Sequence, residues 1–215
     1  MKRVRLVTFV LILLVTACSH DKVYTQDNQS GSEIDKKVKA FLKSKEYGWR
    51  DMNVPESDGK LLYDLIIKNN YKNAVEIGTS TGHSAIWIAW ALSKTGGKLI
   101  TIEIDETRYK EALLNFEKAG VAQYIDARLA DAHDLVPKLS GPIDFVFSDA
   151  DKDWYVSYFK SIDPKLIVGG CYTSHNVREY DGRQYYEYVS SLPNYKTTVD
   201  NRGGGMAISY KTALR

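Results

Sequence analysis

The sequence predicts a doubly wound α/β domain: a mainly parallel seven-stranded sheet with helices on both faces and an antiparallel hairpin at its C-terminal end. Three observations carry that prediction. From Asn73 onward, short apolar runs of strand length alternate with segments of helical periodicity, the pattern of parallel strands joined by crossover helices. The polar clusters fall at the carboxyl ends of those runs, at 76–84, 103, 131–133, 149–152 and 175–176, where such sheets bind ligands. Finally, "DNRGGGMAIS" (200–209) places a glycine-rich turn between the last two candidate strands.

Two helices precede the alternation. "SEIDKKVKAFLKSKEY" spaces Ile34, Val38, Phe41 and Leu42 on one face, and "PESDGKLLYDLIIKNN" does the same with Leu61, Leu62, Leu65 and Ile66. "NAVEIG" is then a strand, "HSAIWIAWALSK" a helix, and "KLITIEI" a strand. "ETRYKEALLNFEKAG" is a helix closed by Gly120. "YIDARLA", the short helix "AHDLVPKL", "IDFVFSD", the helix "KDWYVSYFKSI" and the strand "KLIVGGCYTS" follow in turn. A helix through "GRQYYEYVSSL" leads to the strands "YKTTVD" and "GMAISYK". No internal repeat stands out, and the length suits one domain, Rossmann-like in its winding.

The first residues read as targeting rather than fold. "MKRVR" is a basic start, and Leu6 to Val15 is an apolar run of ten, too short to span a bilayer core of roughly 30 Å as a helix. The run ends in "VTACS", which resembles the bacterial lipobox. That resemblance implies a signal peptide over 1–17, lipidation of Cys18, and a membrane-anchored lipoprotein of the bacterial cell envelope. A plain signal peptide or an internal start is the other reading. Residues 18–31 are polar and aperiodic, a tether, and 32–215 form the domain. Losing Lys2, Arg3 and Arg5 takes the formal charge from +2 to −1, a balance that suggests no nucleic-acid partner. Cys171 lies in an apolar run and reads as a buried free thiol, with no intrachain disulfide once Cys18 is lipidated.

Two constellations carry chemistry. "VEIGTSTGHS" is a strand, a glycine turn and a helix start, in which Gly78 and Gly82 let the backbone approach a ligand. Its Gly-x-x-x-Gly spacing departs from the dinucleotide fingerprint and disfavours a nicotinamide oxidoreductase. Glu103, ending the next strand, is placed to bind a ribose diol, or else is a helix-start carboxylate beside Asp105. "SDADKDWY" (148–155) packs three carboxylates around Lys152 at a strand mouth: either a solvated strand end or a site where carboxylate binds a cation and lysine moves a proton.

Together, "VEIGTSTGHSAIWIAWAL", "LITIEID", "FEKAGVAQYIDARLADA", "IDFVFSDADKDWY" and "GGCYTSHNV" resemble the cation-dependent O-methyltransferases, the group of catechol and caffeoyl-CoA O-methyltransferases, from about Val54 to Tyr210. The resemblance implies S-adenosylmethionine as methyl donor and a small, phenolic or catechol-like acceptor. Val54 would close over the cofactor, and Glu76, Gly78, Thr79 and Ser84 would surround its methionine portion. Glu103 would hold the ribose, and Ala132, with Asp131 and His133, would line the adenine. Asp149 would face both cofactor and metal, and Lys152 would be the general base. The metal ligands would be Asp149, His175 and Asn176. Relatives are often homodimers.

The departure from the family lies in "TSHN", where members usually carry Asp-Asn. Imidazole suits transition ions better than magnesium, so His175 implies a changed metal, a weakened site, or a role without metal, as base, donor or structural group. A lipid-anchored binding or scaffold protein that keeps the fold without turnover is the alternative function. Asp151 and Asp153 read as solvated or helix-start residues, and His83 as a surface or cofactor-edge residue. Trp87 and Trp90 read as core, and Tyr185 and Tyr188 as packing on the sheet, whereas Trp154, Tyr155 and other tyrosines after Asn176 are candidates to wall an aromatic pocket.

Overall fold

The computed structural model describes residues 33–46, 48–49, 52–178 and 180–214. The signal, Cys18 and the tether expected over 1–31 lie outside the described residues. Helices α1 (33–44) and α2 (Glu56–Asn69) lead into β1 (Asn73–Ile77), α3 (His83–Thr95), β2 (Lys98–Glu103), α4 (Glu106–Ala119) and β3 (Ile125–Leu129). There follow α5 (Ala132–Leu135), β4 (Ile143–Ser148), α6 (Tyr155–Ile162), β5 (Leu166–Ser174), α7 (Tyr180–Ser190), β6 (Tyr195–Asp200) and β7 (Met206–Lys211).

The seven strands form one sheet, as the sequence predicts, in the order β3-β2-β1-β4-β5-β7-β6. Strands β1 to β5 pair in parallel, and β7 runs antiparallel between β5 and β6. The chain winds outward from β1 in one direction and from β4 in the other. The switch point therefore lies between β1 and β4, and a crevice opens beyond their carboxyl ends.

Side-chain alternation sorts the core into two layers. Ala74, Phe145, Phe147 and Cys171 meet helices α1 to α4, while Val75, Ile77, Val146 and Tyr172 meet α5 to α7. Helix α3 is buried along nearly its whole length because it packs on the sheet beneath α2, and Trp87 and Trp90 are core residues, as predicted. Tyr185 is buried against the rings of Phe159 and Tyr172, and Tyr188 meets Phe159 edge-on, so both pack α7 on the sheet. Cys171 is a free, buried thiol whose pKa burial pushes up.

Candidate active site

The ends of β1, β4 and β5 are stitched past their last paired residues. The Asp149 N–H donates to the Ile77 carbonyl at 2.9 Å, and the His175 N–H donates to the Ser148 carbonyl at 3.1 Å. Gly78 takes φ +98°, and a Cβ there would lie 2.6 Å from the Asp149 carbonyl oxygen. Only glycine lets the two strand ends close this far. Beyond them opens a cavity of about 660 Å³. Val54, Gly78, Thr79, Ser84, Glu103, Ala132, Asp149, Lys152, His175 and Asn176, every predicted site residue except Glu76, line it.

One half of the cavity is built from α3, β2 and α5. Glu76 is fully buried, and its Oε2 accepts the Thr101 hydroxyl. Burial pushes its pKa up to about 8 against the pull of the Ser84 and Thr101 hydroxyls. Its Oε1 has no aligned donor among the described residues, and the side chain is not part of the cavity wall, where the sequence predicts it. Glu103 is pinned by three backbone donors: Ser80 N–H at 2.7 Å to Oε2, and Ile104 and Asp105 N–H at 3.0 and 2.9 Å to Oε1. It is thus both a cavity wall and a helix-start carboxylate. Asp131 caps α5 by accepting the His133 N–H at 2.8 Å, which sets Ala132 and His133 at the wall.

The other half is a chain of charges. Lys152 Nζ stands 3.8 Å from Asp149 Oδ1. His175 Nδ1 lies 3.2 Å from Asp149 Oδ2, and His175 Nε2 lies 2.8 Å from Asp58 Oδ2. Burial opposes charge on His175, and the carboxylates of Asp149 and Asp58 outweigh it, holding the pKa up at about 9. Burial likewise works to raise the Asp58 carboxyl, but His175 and the Gly204 N–H hold it below the usual range. Asn176 follows with φ 54°, its backbone turning away from β5.

Several expectations are corrected. Tyr155 does not wall the cavity: it is fully buried, and its hydroxyl donates to the His175 carbonyl at 3.2 Å. Trp154 is half-exposed and stacks on His133, with ring centroids 4.0 Å apart, and Tyr158 lines the cavity in its place. His83 is neither a surface nor a cofactor-edge residue. It is buried, facing the Val54 carbonyl through Nδ1 at 2.8 Å and accepting the Trp87 indole N–H at 3.1 Å through Nε2. Gly82 makes room for the Phe116 ring rather than for a ligand. Of the three turn glycines, only Gly205 takes a positive φ; Gly203 and Gly204 are needed because a Cβ would overlap Asp58 and His175 respectively.

Asp58 was not identifiable as a site residue from the sequence. An aspartate in the first turn of a helix reads as a favourable dipole partner and nothing more. Its signal lies in the glycine pair 145 and 146 residues downstream, which only the fold brings to it.

A model of the O-methyltransferase family matches residues 27–182, and the chain belongs to that family. A catechol O-methyltransferase of Niastella koreensis is 37% identical over 134 residues, 60% of this chain and 60% of that protein. Caffeoyl-CoA O-methyltransferase 1 of Arabidopsis thaliana is 34% identical over 154 residues, 69% of this chain and 57% of that protein. The chain thus spans about six-tenths of the length of these curated relatives. Among solved structures, the O-methyltransferase of Streptomyces achromogenes involved in tomaymycin synthesis, in complex with S-adenosylmethionine, superposes with a TM-score of 0.71 at 26% identity, covering 84% of this chain and 89% of that one. A Bacillus cereus O-methyltransferase has the same fold, with a TM-score of 0.71 at 23% identity over 92% of this chain and 94% of that one.

Proposed function

We propose that the protein is an S-adenosylmethionine-dependent O-methyltransferase acting on a hydroxyl of a small, phenolic or catechol-like acceptor, assisted by a divalent cation. The observation that carries this reading is the single cavity in which Glu103, Asp149, Lys152, His175 and Asn176 meet. The pinned Glu103 carboxylate at the cavity wall fits the ribose of the cofactor.

The donor set also fits a cation. Among the described residues no three His, Cys, Asp or Glu side chains converge as a ready-made cluster. Asp149, the His175 Nδ1, which is buried without an aligned hydrogen-bond partner, and the Asn176 amide would hold the ion. When bound, S-adenosylmethionine supplies an electrophilic methyl on a sulfonium, which leaves as the neutral thioether. A divalent ion supplies a lower pKa for a hydroxyl that reaches it. Lys152, as the neutral amine, takes the proton of the acceptor hydroxyl, and Asp149, whose Oδ1 lies 3.8 Å from Nζ, stabilises the ammonium that forms. Glu103, at the cavity wall, would hold the ribose of the donor. The walls of Val54 and Ala132 exclude water, which favours a step in which opposite charges disappear.

Calorimetric titration of the full-length protein with S-adenosylmethionine, with and without divalent metal, tests the reading. Micromolar binding is expected. Absence of binding under both conditions would overturn it and leave the non-catalytic alternative.

A further inference from the structure

Asp58 and the Gly203–Gly204 turn build a second layer behind His175. Asp58 is only 2% exposed, and its Oδ2 faces His175 Nε2 at 2.8 Å and receives the Gly204 N–H at 2.9 Å. A Cβ on Gly203 would overlap the carboxylate, and one on Gly204 the imidazole, so the turn closes on the pair as a lid without side chains. The arrangement dictates where hydrogen sits on the ring: a carboxylate oxygen at 2.8 Å accepts, so Nε2 donates.

The consequence falls on the other nitrogen. Nδ1 is buried, has no aligned hydrogen-bond partner, and lies 3.2 Å from Asp149 Oδ2. That spacing is within the range of neighbouring donors on one ion, whose bonds run about 2.0–2.2 Å. Without an ion, a proton on Nδ1 faces Asp149; a divalent ion would take that proton's place between the same two groups. Metal-ligating histidines commonly give their second nitrogen to a carboxylate, which fixes the tautomer and strengthens the ligand.

We infer that Asp58 and the Gly203–Gly204 turn are positioning residues that hold His175 as the Nε2–H tautomer and present Nδ1, beside Asp149 and Asn176, as a nitrogen ligand for a divalent ion that favours imidazole over all-oxygen sites. The inference rests on the metal-assisted reading above and adds its selectivity: a cobalt-, nickel- or zinc-like ion rather than magnesium. Asp58 touches neither acceptor nor donor in this account. It acts through His175.

The test uses cobalt(II) and magnesium as probes, on the full-length protein and its D58N and H175D variants. Calorimetry reads the affinity of each ion and of S-adenosylhomocysteine, and the visible bands of cobalt(II) report nitrogen ligation. The wild type is expected to bind cobalt(II) at least tenfold more tightly than magnesium. D58N should lose 10- to 100-fold in cobalt(II) affinity, with altered cobalt bands and unchanged S-adenosylhomocysteine binding. H175D should narrow or reverse the preference, and it keeps the test decisive if D58N fails to fold. Unchanged cobalt(II) affinity and bands in D58N would overturn the inference, as would failure of the wild type to bind cobalt(II). A wild type that binds no S-adenosylhomocysteine would instead overturn the methyltransferase reading, and the cobalt(II) results would still decide this one.

Discussion

The clamp on His175 makes stability depend on pH over a defined window. With metal removed by chelator, the imidazole is charged between Asp58 and Asp149, with a folded pKa of about 9 against an ordinary 6.5. Its side chain is only 7% exposed, so solvent screening takes little from the interaction. The folded pKa is raised, so the stabilisation is fully present below about pH 6.5. It declines as pH rises and is gone once pH passes about 9. At about 1.4 kcal/mol for each tenfold change in proton affinity, the loss across the window is of order 3 kcal/mol. Glu76 also titrates near pH 8 and adds its own slope, so the informative quantity is a difference. Urea unfolding of wild type and H175N, at one-unit steps from pH 6 to 10 with chelator present, isolates it. The wild-type advantage should shrink by of order 3 kcal/mol between pH 6.5 and 9 and stay constant above. A difference that is flat through that range would refute a charged His175 held by its two carboxylates.

Three further outcomes follow from other parts of the molecule. Lys152→Ala should lower turnover by about 10²- to 10⁴-fold, the usual worth of a general base, with S-adenosylmethionine affinity nearly intact; steady-state kinetics beside calorimetry separates this from a structural role, which would cost both. Gly204→Ala should lower stability by about 1–3 kcal/mol through overlap with the His175 ring; a melting temperature equal to wild type would show that the turn does not press on the imidazole. Cys18→Ser should release the protein from the membrane fraction, and unchanged fractionation would argue against lipid anchoring.

The strands and their succession along the chain were legible because the chain is locally consistent: apolar runs such as "IDFVFS" and "KLITIE" are strands along their length, and Gly120 ends α4 where it stands. The C-terminal ends of those strands then gave nearly the whole cavity wall. What stayed hidden depends on pairs remote in sequence. His83 looked exposed because its neighbours are small and polar, yet Val54 and Trp87 enclose it. Tyr155 looked like a pocket wall because it follows Lys152, but a turn of 3₁₀ helix over Lys152–Trp154 rotates it inward. In "SDADKDWY" Asp149 and Asp151 both line the cavity and divide by partner: Asp149 faces Lys152 and His175, and Asp151 caps that turn by accepting the Asp153 N–H at 3.1 Å.

The Asp58–His175 pair is poor ground for stability taken alone. Burying two charges carries a desolvation penalty, and well-packed apolar side chains in place of such a pair are often neutral or more stable by about 1–4 kcal/mol. The chain also gives up two side chains beside it, at Gly203 and Gly204, and glycine costs about 0.5–1 kcal/mol relative to alanine within regular structure. A fold selected only for stability would fill this corner with apolar atoms, as it fills both faces of β4. The corner instead keeps a carboxylate, an imidazole and a bare turn, all aimed at Asp149 and the cavity. That concentration of unfavourable choices at the mouth of the switch point is the pattern of a site whose geometry is held for chemistry, and it extends the site from the cavity wall back to the first turn of α2.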